Sequence, residues 1–237
     1  MLSPPATLAD GGATLARLKA SVQAERAALQ TRFRETADGP MVLREHRRLV
    51  DRVLKDMWRQ LRLPAPLALL AVGGYGRGEL YPHSDIDVLV LLQDSASAGL
   101  ATQIEKLVGR LWDTGLELSH SVRTVAECVE EARKDVTVMT SLLEARQLAG
   151  NRGLFARFDR ARKDCLDAQV FFKAKRLEQE QRHTKFQDSP YSLEPNLKEA
   201  PGGLRDLQVI LWITQACGLG NSWAELAQRG LDRKSVV

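Results

Sequence analysis

One stretch of the sequence reads Gly73-Gly74-Tyr75-Gly76-Arg77-Gly78-Glu79-Leu80-Tyr81-Pro82-His83-Ser84-Asp85-Ile86-Asp87, and the prediction of fold and chemistry starts from it. Four glycines within the six positions 73–78 predict a loop whose backbone can approach a ligand closely and direct N–H groups at phosphate oxygens. In a strand, residues two apart lie on the same face, so Asp85 and Asp87 are predicted to point the same way.

The carboxylates of Asp85 and Asp87 predict a metal site. Two neighbouring carboxylates repel each other unless a cation lies between them, and ligands that are all oxygen select a hard ion such as Mg²⁺ or Mn²⁺. Such a metal beside a phosphate-binding loop is the arrangement that phosphoryl and nucleotidyl transfer require. Each pattern alone is more often a plain turn or a solvated strand edge. The two together, at this spacing, predict a functional site.

The segments on either side predict a small mixed β-sheet. Short apolar runs at 67–72 and 85–92 and an alternating segment at 116–122 are typical of strands. A helix at 104–112 separates the second and third strands, and Thr124 is predicted to cap a further helix.

The outer parts of the chain are predicted to be helical. Asp38-Gly39-Pro40 interrupts an apolar helical pattern and predicts a helical hairpin at the start, with residues 1–12 disordered. The pattern is helical again after Asn151. We therefore predict an α+β fold with an N-terminal helical segment at 1–63, a catalytic sheet domain at 64–150 and a helical domain, cut short, at 151–237.

The composition and charge of the chain indicate which classes of binding partner to expect. The chain has 237 residues, a net charge of +4 and a pI of about 9.1, which favours polyanions such as a nucleoside triphosphate. Scattered basic residues and only 5% aromatic residues argue against nucleic-acid binding. No apolar run is long enough to predict a membrane span. Three cysteines that lie far apart in the sequence (Cys128, Cys165 and Cys217) indicate reduced thiols in a cytoplasmic protein.

Four segments of the sequence resemble one known family. They are 72–80, Ser84-Asp85-Ile86-Asp87, 117–124 and 194–206, the last of which contains Pro-Gly-Gly-Leu-Arg-Asp. The Gly-Gly and Asp-x-Asp spacing is similar to that of the DNA-polymerase-β-type nucleotidyltransferase superfamily. All four segments together resemble the bacterial PII uridylyltransferase/uridylyl-removing enzymes, and Pro-Gly-Gly-Leu-Arg-Asp is not a general feature of the superfamily.

The resemblance implies a reaction and a set of metal ligands. The reaction is transfer of UMP from UTP to a tyrosine hydroxyl of the nitrogen-signalling protein PII, with release of pyrophosphate. The metal-binding carboxylates of the family correspond to Asp85 and Asp87. Superfamily members usually add a third acid from a neighbouring strand, for which Glu117 is the best candidate, against the alternative of an exposed strand glutamate. Glu117 would complete the metal site and help to deprotonate the tyrosine.

The resemblance also implies nucleotide contacts. The backbone of Gly73 and Gly74 would contact the triphosphate, and Arg77 would pair either with phosphate or with Glu79. Lys198 and Arg205 would reach phosphate or base, with structural salt bridges as the alternative.

The departures from the family leave other functions open. None of the four histidines precedes an aspartate, as the His-Asp doublet of the family's phosphohydrolase domain requires. We therefore expect the uridylyl-removing and glutamine-sensing domains to be absent. The alternatives are a nucleotidyltransferase acting on a small molecule or RNA, and a catalytically impaired nucleotide-binding regulatory module.

Overall fold

A computed structural model of the chain describes residues 9–63, 66–93, 98–186, 194 and 196–231. The helices and strands of the described residues follow in this order: α1 (Ala9–Thr36), α2 (Gly39–Leu61), β1 (Leu67–Ala71), α3 (Gly73–Arg77), β2 (Ile86–Leu92), α4 (Ala98–Asp113), β3 (Leu118–Thr124), α5 (Val125–Lys134), α6 (Val136–Leu143), β4 (Arg146–Gly150), α7 (Arg152–Cys165), α8 (Ala168–Lys185), α9 (Leu204–Ala216) and α10 (Trp223–Gln228). The predicted α+β class is confirmed. None of the described helices is long and apolar enough to cross a membrane.

The helices and strands pack into two compact units. The first comprises Met1–Cys128 and Glu144–Asp159, and the second comprises Val129–Leu143 and Arg160–Val237. This grouping by packing does not coincide with the predicted division at residues 63 and 150, which stays a prediction about domains.

A four-stranded sheet in the order β3-β2-β1-β4 forms the centre of the first unit. β1 pairs antiparallel with both β2 and β4, whereas β2 pairs parallel with β3. The predicted small mixed sheet is therefore confirmed. The first three strands lie within two residues of their predicted positions, and β4 is an additional strand that the sequence pattern did not indicate.

The predicted helical hairpin is present as α1 and α2. Asp38 precedes α2 and its carboxylate accepts a hydrogen bond from the N–H of Met41 at 2.9 Å, which satisfies one of the free donors at the helix start. The apolar side of α2, including Val50 and Leu54, packs with the sheet in one hydrophobic core. Residues 9–12 already belong to α1, so the predicted disorder is wrong there, and residues 1–8 lie outside the described residues.

The second unit is built from helices. α6, α8 and α9 pack against one another, and two long basic side chains, Arg162 and Lys175, are buried among them. Lys175 Nζ bonds to Glu178 at 2.7 Å and lies 4.5 Å from the centre of the Trp212 ring. Burial of these charges is tolerated because each is hydrogen-bonded or paired.

Candidate active site

The two predicted metal ligands lie at the start of β2. Asp87 is the second residue of the strand and is half-buried, and Asp85 precedes the strand and is exposed. The carbonyl oxygen of Asp87 accepts a hydrogen bond from the N–H of Val72 at 3.1 Å. The backbone next to the carboxylates is therefore tied directly to the residue that precedes the glycine stretch.

The electrostatics at the start of β2 favour a bound cation. Burial raises the pKa of Asp87, the negative charge of Asp85 raises it further, and a hydrogen bond with Ser119 opposes both effects. Ionisation of Asp87 is thus less favourable than for an aspartate in water, and a divalent cation between the carboxylates would oppose that effect. The donor set consists of oxygen atoms, which suits Mg²⁺ or Mn²⁺.

Glu117 lies beside Asp85 along the neighbouring strand. It is exposed and immediately precedes Leu118, which pairs with Ile86 in the parallel register of β2 and β3. Its carbonyl oxygen accepts a hydrogen bond from the N–H of Ile86 at 2.8 Å. Among the residues that the structure describes, no three His, Cys, Asp or Glu side chains are grouped so that they could hold a metal ion. The role of Glu117 as third ligand therefore stays a prediction.

The glycine stretch forms a short helix, so the prediction of an open loop is wrong. Gly73-Gly74-Tyr75-Gly76-Arg77 make up α3, which follows β1 after the single residue Val72. Gly73 has a φ of +57°, a conformation that glycine adopts without strain. The N–H of Gly76 donates to the carbonyl of Val72 at 3.0 Å, and the earlier amides of Gly73, Gly74 and Tyr75 belong to the first turn, where a helix offers no acceptor.

Gly74 and Gly76 have different surroundings. A Cβ atom on Gly76 would lie 2.2 Å from the carbonyl oxygen of Glu144 and 2.9 Å from that of Ala71, so packing excludes any side chain there. A Cβ atom on Gly74 would be 3.5 Å from its nearest neighbour, the carbonyl oxygen of Glu79, which is ordinary van der Waals contact. Packing of the described residues therefore accounts for the glycine at 76 and not for the glycine at 74.

Both larger side chains of α3 are anchored within the first unit. Tyr75 is buried, and its hydroxyl donates to Oδ1 of Asp51 at 2.7 Å. The guanidinium of Arg77 forms ion pairs with Glu79, at 2.6 Å, and with Glu144. The expected pairing of Arg77 with Glu79 is thus present, and its contact with phosphate stays a prediction.

The second unit contains the other two predicted binding residues. Lys198 is exposed in the turn before α9. Arg205, in the first turn of α9, donates to Gln208 at 2.8 Å and to Glu199 at 3.2 Å. Its guanidinium also lies 5.4 Å from the centre of the Trp212 ring. Arg205 therefore makes the structural interactions that were its alternative, and the contact of either residue with nucleotide stays a prediction.

Asp206 organises this segment, a role that the sequence analysis did not identify. Its carboxylate accepts hydrogen bonds from the N–H of Gly202 at 2.7 Å, from Gln179 at 2.9 Å and from Arg182. His183 Nε2 lies 2.9 Å from the same carboxylate. Three of these partners, Gln179, Arg182 and His183, belong to α8, and their spacing from Asp206, up to 27 residues, hides the cluster from local pattern analysis.

Comparison with known proteins found family models that match two segments of the chain and relatives that match most of its length. A family model described as nucleotidyltransferase domain matches residues 50–142, and one described as GlnD PII-uridylyltransferase matches residues 170–236. A bifunctional uridylyltransferase/uridylyl-removing enzyme of Bordetella parapertussis is 57% identical over 214 residues, which are 90% of this chain and 25% of that enzyme. The enzyme of the same name from Burkholderia orbicola is 56% identical over 213 residues, with the same two coverages of 90% and 25%.

The chain spans about a quarter of the length of these curated relatives. Among solved structures, a toxin–antitoxin complex with AMP-PNP is similar at 17% identity and a TM-score of 0.30, over 58% of this chain and 96% of that one. Similarity as distant as that says nothing about function.

Proposed function

We propose that the chain, which is similar to the PII-uridylyltransferases over 90% of its length, transfers UMP from UTP to a tyrosine hydroxyl of the signalling protein PII. The tyrosine oxygen would attack the α-phosphorus of UTP, the bond between the α- and β-phosphates would break, and pyrophosphate would leave. The observation that supports the proposal is the carboxylate pair Asp85 and Asp87 beside the first turn of α3, in a chain with this similarity.

Each residue of the site would have a distinct role. Asp85 and Asp87, with Glu117 as the proposed third ligand, would hold Mg²⁺ or Mn²⁺, which neutralises phosphate charge and lowers the pKa of a bound hydroxyl. The amides of Gly73 and Gly74 would donate to triphosphate oxygens, since they lie in the first turn of α3. The phenol of the acceptor has an ordinary pKa near 10, so its proton must be withdrawn for attack at neutral pH, and Glu117 would accept it.

Label transfer tests the function. Purified chain, PII, Mg²⁺ and UTP labelled at the α-phosphate should give PII labelled on tyrosine, with pyrophosphate released in equal amount. Asp85→Asn and Asp87→Asn should each lower the rate by at least about 100-fold, since each removes a charged metal ligand. Asp113→Asn, at an exposed aspartate at the end of α4, is the matched control and should keep the wild-type rate.

The other outcomes separate the alternatives. Label on a small molecule or RNA and none on PII would replace the proposal with another nucleotidyltransferase activity. Saturable UTP binding without label on any acceptor would indicate a regulatory nucleotide-binding module. If the aspartate variants transfer label as fast as the wild type, the assignment of the site is wrong.

A further inference from the structure

The stability of α3 is not explained by its own sequence. Three of its five residues are glycine, the residue that favours helix least after proline, and an isolated helix of this length does not form in water. Contacts from other elements must therefore hold it. They are contributed by the two residues of α3 that have side chains, Tyr75 and Arg77, and by the carbonyl groups at its end.

Asp51 of α2 and Arg146 of β4 form the centre of these contacts. Arg146 binds both carboxylate oxygens of Asp51, at 2.8 and 2.9 Å, and Asp51 also accepts the hydroxyl hydrogen bond of Tyr75. The same guanidinium lies within 3.4 Å of the carbonyl oxygens of Tyr75 and Gly76, and 5.4 Å from the centre of the Tyr75 ring. The carbonyl oxygen of Tyr75 also accepts a hydrogen bond from the N–H of Gly78 at 3.1 Å, so Arg146 adds a second donor there and supplies one for the carbonyl of Gly76 at the end of the helix.

The cluster is partly removed from water and rigid in its geometry. The side chains of Asp51 and Arg146 are 15% and 29% exposed, and Tyr75 is 1% exposed. The two-pronged contact of guanidinium with carboxylate fixes orientation as well as distance. Burial and the negative charge of Asp51 raise the pKa of Tyr75, so its hydroxyl remains a hydrogen-bond donor at physiological pH.

We propose that Asp51, Tyr75 and Arg146 form a positioning cluster that holds α3 in register with the carboxylates at the start of β2. The inference rests on the proposed function, because the register matters only if the amides of α3 bind the phosphates of a metal-bound nucleotide. Val72, directly before α3, donates to the carbonyl of Asp87, so a shift of α3 also changes the spacing between its first amides and the metal ligands. None of the three cluster residues contacts the reacting atoms in this arrangement.

The first measurement needs no nucleotide. Hydrogen–deuterium exchange is followed in the free protein for Asp51→Asn, Tyr75→Phe and Arg146→Lys. Exchange at the hydrogen-bonded amides of Gly76 and Gly78 should accelerate in all three, while the amides of β1 and β2 keep their protection. Arg146→Lys retains the positive charge and loses the two-pronged geometry of the guanidinium. Faster exchange of α3 in this variant would show that the geometry of Arg146, and not its charge alone, holds the helix. Ile104→Val, a core substitution in α4, is the control for general loss of stability and should leave the exchange of α3 unchanged.

The second measurement is UTP titration by calorimetry with Mg²⁺ present. If α3 is displaced, every folded molecule binds UTP more weakly. The cluster variants should therefore raise the Kd for UTP about 10-fold or more, with the binding stoichiometry unchanged. A purely structural role would reduce the folded fraction, and hence the stoichiometry, at constant Kd. Asp51→Glu, which keeps the carboxylate, should recover part of the affinity.

The outcomes distinguish the two proposals. Unchanged exchange of α3 in Asp51→Asn and Tyr75→Phe overturns the positioning cluster whatever the nucleotide results. A wild-type chain that binds no UTP overturns the proposed function, and the exchange data then decide alone whether the cluster holds α3. Wild-type UTP affinity in variants with a loosened α3 overturns the link between the cluster and binding.

Discussion

At the scale of single residues, two glycines of the candidate site, Gly74 and Gly76, differ in the space that surrounds them. Gly76 is required by packing because a carbonyl oxygen occupies the place of its side chain, whereas the space at Gly74 would accept a methyl group. A position where the fold tolerates a side chain but the sequence has glycine is one where a ligand can need close approach to the backbone. The contrast between Gly74 and Gly76 supports a structural requirement at Gly76 and leaves Gly74 available for the proposed phosphate contact.

Gly74→Ala and Gly76→Ala should therefore have opposite effects. Alanine favours a helix over glycine by about 1 kcal/mol, so Gly74→Ala should keep or slightly raise the melting temperature. It should weaken UTP binding about 10-fold, equivalent to about 1.4 kcal/mol, because the methyl group obstructs the phosphate. Gly76→Ala should destabilise the chain by about 3 kcal/mol, since its Cβ meets backbone atoms. Thermal melts and UTP titration give both answers, and equal loss of stability in the two variants would contradict this reasoning.

Asp87 should couple metal binding to stability. At a Mg²⁺ concentration about 100 times its Kd, binding to the native chain adds about 2.7 kcal/mol, which raises the melting temperature by roughly 5 to 10 °C. Asp87→Asn should abolish this Mg²⁺-dependent shift while leaving the metal-free melting temperature no lower than that of the wild type, because one of two repelling charges is removed. Differential scanning calorimetry with EDTA and with Mg²⁺ measures both quantities. The Asp113→Asn control should retain the full shift, and a retained shift in Asp87→Asn would exclude Asp87 as a ligand.

At the scale of elements, local sequence predicted those parts of the fold that local forces determine. β1 and β2 are apolar runs and α2 has one apolar face, so their hydrophobic patterns identified them. The proposed metal ligands were equally visible in the sequence, since alternation in a strand predicts Asp85 and Asp87 on one face.

Long-range contacts account for the elements that were missed. The glycines of α3 predicted a loop because their intrinsic preference opposes a helix, but partners 24 and 67 residues away hold Tyr75 and Arg77. β4 has the short polar sequence Arg-Gln-Leu-Ala-Gly, and Arg146 within it pairs with an aspartate 95 residues earlier. No local pattern encodes these separations.

Arg162 provides a test of an element held by distant side chains. Its guanidinium donates to the carbonyl oxygens of Leu142 at 3.0 Å and Leu143 at 2.6 Å, the last residues of α6, and Gln215 also donates to the carbonyl of Leu143. Arg162→Met should lower the free energy of unfolding by about 3 kcal/mol, because buried carbonyl groups lose a charged donor. Arg160→Met, an exposed site on the same helix, should change it by no more than about 0.5 kcal/mol. Urea unfolding with equal midpoints for the two variants would show that Arg162 does not cap α6.

At the scale of the whole molecule, each unit contains a carboxylate that collects donors from several elements. Asp51 serves the first unit, where it joins α2, α3 and β4, and Asp206 serves the second, where it joins α8 to the turn before α9. In a chain with a net charge of +4, these acids also neutralise basic side chains that are partly removed from water. Acid should therefore weaken the fold through specific groups as well as through net repulsion.

Asp206 gives this expectation a definite sign. Burial opposes its ionisation, but hydrogen bonds from Gln179, the Gly202 N–H and His183 outweigh burial and lower the pKa of Asp206 below its ordinary value. A carboxyl group with a depressed native pKa stabilises the fold above its unfolded pKa of about 3.9, and this contribution is lost as the pH falls through the native pKa. The wild-type urea midpoint should thus fall as the pH is lowered below about 4.

Asp206→Asn removes the charge that responds to acid. The variant should be less stable than the wild type at pH 7, and its urea midpoint should change less between pH 5 and the acid limit of the measurement, because one proton-linked contribution is gone. Asp164→Asn, at an exposed aspartate in the same unit, should retain the wild-type pH dependence. Urea unfolding followed by circular dichroism at each pH gives the comparison. If Asp206→Asn loses stability in acid as steeply as the wild type, another group controls the acid response of the second unit, since the donors to Asp206 cannot stabilise a carboxylate that is no longer there.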